Sequence, residues 1–79
     1  MATVKKTKDE TLLRLGKTIS KIRREKKISQ ERLAYEANIH RTSINRLEIG
    51  EMEAGILLLA KLCKALQMTV AELFSRAKI

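Results

Sequence analysis

The 79-residue sequence has no proline and no tryptophan, one phenylalanine, one tyrosine and one cysteine. With almost no aromatic bulk, the interior must be built from leucine, isoleucine, valine and alanine, which suits packed helices better than a sheet. The lone cysteine, Cys63, excludes an internal disulfide and has no ligand cluster beside it, so no metal is expected and Cys63 reads as a small buried apolar residue. The longest apolar run, Ile56 to Ala60, falls far short of the roughly 20 residues a membrane span requires. The charged start MATVKKTKDE likewise lacks the apolar stretch of a leader. These absences predict one small, all-α, cytoplasmic domain with no membrane partner.

What the sequence does have is positive charge. Seventeen Lys and Arg stand against nine Asp and Glu, a formal net charge of +8. The distribution is uneven, since ten of the seventeen bases but only three of the nine acids lie in residues 1–27. A polyanion is the natural partner, and nucleic acid comes before a membrane surface because no strongly apolar face accompanies the basic run.

Periodicity divides the chain into five helices. Residues 1–8 read as a flexible basic tail, 9–76 as the folded domain and 77–79 as a C-terminal tail. Thr7 and Glu10 have the spacing of a capping box, and Leu12, Leu15, Ile19 and Ile22 then form one stripe of a helix reaching about Lys26. Ser29 caps a second helix from Gln30 to about Ala37, with Leu33, Ala34 and Ala37 inward. Asn38-Ile39-His40 breaks the pattern and supplies a turn. From Arg41 to Ile49 only Ile44 and Leu47 have the spacing of a buried pair, so Thr42, Asn45, Arg46 and Ile49 share the opposite face. Gly50 stops this third helix. A fourth follows over 56–66 with Ile56, Leu59, Leu62, Cys63 and Leu66 inward, and Thr69 with Glu72 caps a fifth that brings Val70, Leu73 and Phe74 to the core.

Two short helices joined by a three-residue turn, with the small Ala34 at their crossing, form the helix-turn-helix plan over about residues 29–48. The segments Ser29-Gln30-Glu31-Arg32-Leu33-Ala34, Asn38 through Gly50, and Leu62-Cys63-Lys64-Ala65-Leu66 resemble the phage-repressor and Cro-type helix-turn-helix (XRE) family. The resemblance covers about residues 12–74. Within the family, His40-Arg41-Thr42 and the single small domain look most like the controller proteins of restriction-modification systems.

The resemblance implies a five-helix, lambda-repressor-like fold with the third helix in the major groove of double-stranded DNA, no cofactor and no small-molecule ligand. Local chemistry is consistent with that role. Arg41 and Arg46 suit guanine O6 and N7, Asn45 can pair with adenine, the Thr42 methyl fits the thymine methyl, and Ser43 bonds a base edge or a phosphate. Gln30 matches the family's glutamine at the start of the second helix, beside the Ser29 cap, where side chain and backbone amides grip a phosphate and set the docking register. Arg23 and Glu48 match positions of a structural ion pair joining the first and third helices. One departure matters: Ile49, Glu51, Met52 and Glu53 stand where the family often has phosphate-holding basic or amide residues. The missing attraction is therefore assigned to Lys5, Lys6 and Lys8 in the tail and to Lys17 and Lys21 on the first helix.

On the fourth helix, Leu57 and Leu58 project away from the inward stripe and are expected at a homodimer interface, which would match a palindromic operator with half-sites roughly 34 Å apart. The leading expectation is a homodimeric DNA-binding transcriptional regulator, with restriction-modification genes as possible targets. The alternative is an antitoxin-type protein-binding module of the same fold, against which stands the short segment after Phe74. An enzyme is disfavoured because His40, Ser43 and Cys63 form no nucleophile–base–orienter set. RNA is disfavoured because only Tyr35 and Phe74 could stack on bases.

Overall fold

The computed structural model describes residues 9–79, which form five helices: α1 (Glu10–Glu25), α2 (Gln30–Ala37), α3 (Arg41–Glu48), α4 (Ile56–Ala65) and α5 (Val70–Ala77). No strand occurs among the described residues. The basic tail over 1–8, with Lys5, Lys6 and Lys8, lies outside them. So does Thr7, and α1 in any case starts from another cap: the Asp9 carboxylate accepts from the backbone N–H of Thr11 at 2.7 Å and of Leu12 at 3.3 Å. An aspartate at this position also complements the positive end of the helix dipole, an advantage that a threonine hydroxyl lacks.

The remaining boundaries follow from local chemistry. Ser29 Oγ accepts from the Arg32 N–H at 2.9 Å and starts α2, and Asn38 ends it in the left-handed conformation at φ 57°. His40 precedes α3 without a side-chain capping bond. Lys27 also adopts a left-handed conformation, φ 59°, where glycine would be relaxed. The uncapped start of α3 and the left-handed lysine cost about 0.5–1 kcal/mol each by typical cap and backbone values. Thr69 and Glu72 complete a reciprocal capping box at α5: Thr69 N–H donates to Glu72 Oε1 at 2.7 Å, and Glu72 N–H donates to Thr69 Oγ1 at 3.0 Å. Ala77 does not begin a tail. It closes α5 and is buried, because its methyl sits one turn after Leu73 on the inward stripe.

The core is aliphatic, with Ile19, Ile22, Leu33, Ile44, Leu62, Leu66 and Leu73 completely enclosed and Phe74 packed against its margin. Helix α1 lies across α3 and α5, α2 across α3 and α4, and α4 against α5. Two expectations for α4 are corrected. Ile56, expected inward, is 77% exposed, and Leu58, expected outward, is half-buried against the core. Angular periodicity does not report axial reach: the first turn of α4 extends past the core, and further along the helix packing against both α2 and α5 widens the buried arc to include Leu58.

At Gly16, α1 packs directly against the backbone of α3. A Cβ there would lie 2.2 Å from the Leu47 carbonyl oxygen and 2.6 Å from that of Glu48. The glycine costs about 1 kcal/mol of helix propensity, and in exchange the last turn of α3 rests on the backbone of α1. Because the obstacle is backbone, Gly16→Ala forces the helices apart. It is expected to cost about 2–3 kcal/mol, the upper part of the usual overpacking range, and to lower the thermal midpoint by roughly 10–20 °C, as read by circular dichroism.

Candidate nucleic-acid interface

Helix α3 buries Ile44 and Leu47 and turns Arg41, Thr42, Asn45 and Arg46 to solvent on one polar, cationic face. Ser43 is half-buried at the edge of that face, and Ile49 follows it as the partly exposed C-cap residue. The face is held from behind, since Ile44 and Leu47 belong to the core that α1 and α2 also share. The Ala34 methyl is buried beneath the α2–α3 pair and leaves room for the two helices to pack.

Behind the face lies a buried ion pair. Arg23 and Glu48 are each only 8% exposed. Arg23 Nε donates to Glu48 Oε2 at 2.6 Å and Nη2 donates to Oε1 at 3.1 Å, the two-pronged geometry in which guanidinium and carboxylate fit best. Arg23 Nη1 also donates to the Ile28 carbonyl at 2.8 Å, fixing the connection between α1 and α2. Burial by itself pushes the Glu48 carboxyl up. Hydrogen bonds from Arg23 and Gln30, the charge of Arg23 and a bond from Ser20 outweigh it and hold the group below the usual carboxylate range. The same hydrogen bond to Glu48 raises Arg23 against its own burial, so the pair is fully ionised.

Gln30, the first residue of α2, is drawn into this pair. Its Nε2 donates to Glu48 Oε1 at 2.9 Å and lies 3.4 Å from Asn45 Oδ1. The side-chain amide nitrogen therefore points inward. Ser29 stands beside it with Oγ accepting from the Arg32 N–H.

Between α1 and α3 runs an open furrow lined by Lys17, Ser20, Lys21, Arg24 and Glu25 on one side, by Asn45, Glu48 and Ile49 on the other, and by Gln30 of α2. It brings Lys17 and Lys21 next to the α3 face and adds Arg24, which sequence reasoning did not assign to the site. The signal was present as Lys17, Lys21 and Arg24 at spacings of four and three, one cationic stripe. The link from Gln30 to Asn45 and Glu48 had no such signal, because it joins residues 15 and 18 positions apart. Leu57 stands clear of this site on the exposed first turn of α4, next to Ile56.

No helix among the described residues is long and apolar enough to cross a membrane, and no group of three or more His, Cys, Asp or Glu there could hold a metal ion. Cys63 is buried, and its thiol is pushed up by burial and by the nearby Glu72 charge, opposite to what a reactive thiolate needs.

Comparison with known proteins places this geometry. A family model described as helix-turn-helix matches residues 19–73. The control protein C.MunI from Mycoplasma sp is 34% identical over 64 residues, which span 80% of this chain and 86% of that protein. Among solved structures, the restriction-modification controller protein C.AhdI from Aeromonas hydrophila superposes with a TM-score of 0.78 at 30% identity, covering 80% of this chain and 96% of that one. The wild-type controller protein C.Esp1396I does so with a TM-score of 0.81 at 31% identity, covering 89% of this chain and 90% of that one. A variant of C.Esp1396I has been solved bound to its highest affinity operator site.

Breaking the buried pair leaves a charge without its partner. Glu48→Gln is expected to lower stability at pH 7 by about 3–5 kcal/mol. The folded value of Glu48 lies below its unfolded value of about 4.3, so the stabilisation is complete above that value and is lost as the pH falls through the folded value. Urea unfolding of both proteins should therefore show a difference that is constant from pH 7 to about 5.5 and shrinks below about 4.

Proposed function

The chain belongs to the helix-turn-helix family whose model covers residues 19–73, and from that premise we propose that it is a sequence-specific double-stranded DNA-binding transcriptional regulator. The observation that carries this reading is the α3 face, where Arg41, Thr42, Asn45 and Arg46 stand outward together on a helix anchored by Ile44, Leu47 and the Arg23–Glu48 pair. Inserted in the major groove, Arg41 and Arg46 bond guanine edges, Thr42 meets a thymine methyl, Asn45 meets a purine edge, and Ser43 reaches a base or a phosphate. Phosphates on one side are held by the Ser29 hydroxyl and the first-turn N–H groups of α2, including that of Gln30, and on the other by Lys17, Lys21 and Arg24 across the furrow. The role is binding without catalysis and needs no cofactor. The likeness to C.MunI, C.AhdI and C.Esp1396I supports the narrower reading that the regulated genes belong to a restriction-modification system.

The regulator acts as a homodimer on a palindromic operator. Ile56 and Leu57, 77% and 76% exposed, form the apolar patch that the partner covers, and Leu58 supports them from its half-buried position. Equilibrium sedimentation tests this: Leu57→Glu is expected to leave the helical content intact and shift the protein to monomer, and an unchanged dimer would exclude α4 from the interface.

Duplexes selected from a random library test the DNA reading. Affinity for the best duplex should fall steeply with salt, and Arg46→Ala should weaken it by about 1–3 kcal/mol through one base position. Equal binding to every duplex would overturn the reading.

A further inference from the structure

Resting on that DNA reading, we infer that Gln30 is a positioning residue which turns the Asn45 amide so that it presents its N–H donors to DNA and reads guanine rather than adenine. The argument begins at Glu48. Ionised by its contact with Arg23, that carboxylate can only accept hydrogen bonds. The Gln30 atom at 2.9 Å from Glu48 Oε1 must therefore be the amide nitrogen, since an amide oxygen there would face another acceptor. A nitrogen so placed is a donor toward everything around it. The Asn45 atom at 3.4 Å must accordingly be the acceptor Oδ1. An amide is planar and its oxygen and nitrogen diverge from the shared carbon, so with Oδ1 turned toward Gln30 the Nδ2 of the exposed Asn45 is directed away from Gln30.

The outward edge of Asn45 then carries donors. Adenine recognition by an asparagine needs both halves of the amide, the oxygen to accept from N6 and the nitrogen to donate to N7. Guanine instead offers two acceptors side by side, O6 and N7, and suits an outward –NH2 group. The direction of the Asn45 amide is thus set from the buried pair through Arg23, Glu48 and Gln30, three residues on three different helices.

The test uses duplexes selected from a random library and resynthesised with each base pair at every operator position. The position read by Asn45 is the one whose preference disappears in Asn45→Ala. There the unaltered protein should favour guanine over adenine by about tenfold, and Gln30→Met, which keeps the length but lacks the donors, should erase that preference while the other positions keep theirs. A preference for adenine, or a guanine preference that survives Gln30→Met, would overturn the positioning role and leave the DNA reading intact. If Asn45→Ala and Arg46→Ala both leave every position unchanged, the reading of α3 itself fails. Should Gln30→Met fail to fold, 7-deazaguanine at the same position keeps the inference falsifiable with the unaltered protein: removing N7 should weaken binding severalfold, and unchanged affinity would overturn it.

Discussion

One buried contact, the two-pronged bond between Arg23 and Glu48, fixes where α3 stands relative to the rest of the molecule. Both partners are withdrawn from water, so the pair adds little net stability over an apolar contact of the same size. Its value lies in direction, since a guanidinium and a carboxylate accept only a narrow range of mutual orientations. Gly16 makes the arrangement possible by letting the end of α3 rest on the α1 backbone. The Arg23 bond to the Ile28 carbonyl extends the same constraint to the entry of α2.

From this anchor the two faces of α3 acquire separate tasks. The inward face, Ile44 and Leu47, is held by dispersion and the hydrophobic effect, which specify depth but little orientation. The outward face carries groups whose use depends on orientation. A displacement of α3 of even an ångström would leave the core largely intact and spoil hydrogen bonding to base edges, which demands donor–acceptor distances near 2.9 Å. Directional bonds behind a recognition surface therefore matter more here than their net energy indicates.

The charge is arranged to suit the same task. The acidic Glu51 and Glu53 follow α3, where extra phosphate contacts would otherwise be expected, whereas Lys17, Lys21 and Arg24 line the opposite side of the furrow. Lysines on a stable helix supply long-range attraction without fixing base register, and the short side chains of Thr42 and Asn45 on α3 supply register without much attraction. On the proposed DNA reading, most of the phosphate grip lies on α1 and the start of α2 and base selectivity on α3, and the buried pair joins α1 to α3.

Much of this was legible in the sequence because it is local. Helix periodicity, the Ser29 and Thr69 caps, the left-handed Asn38 and the polar face of α3 each depend on residues within one or two turns, so spacing alone specifies them. The Arg23–Glu48 pair was legible only through resemblance to a family. Some features were missed because they require knowing which surfaces meet. Ile56 projects past the core although its helical phase points inward, and Leu58 is covered because two helices flank α4. The tertiary structure alone decided that the Gln30 amide nitrogen turns inward to Glu48 and Asn45. Sequence thus determined five helices and which residues share the exposed face of α3. Packing decided the orientation of those residues, because a hydrogen bond between helices depends on distances that no single helix contains.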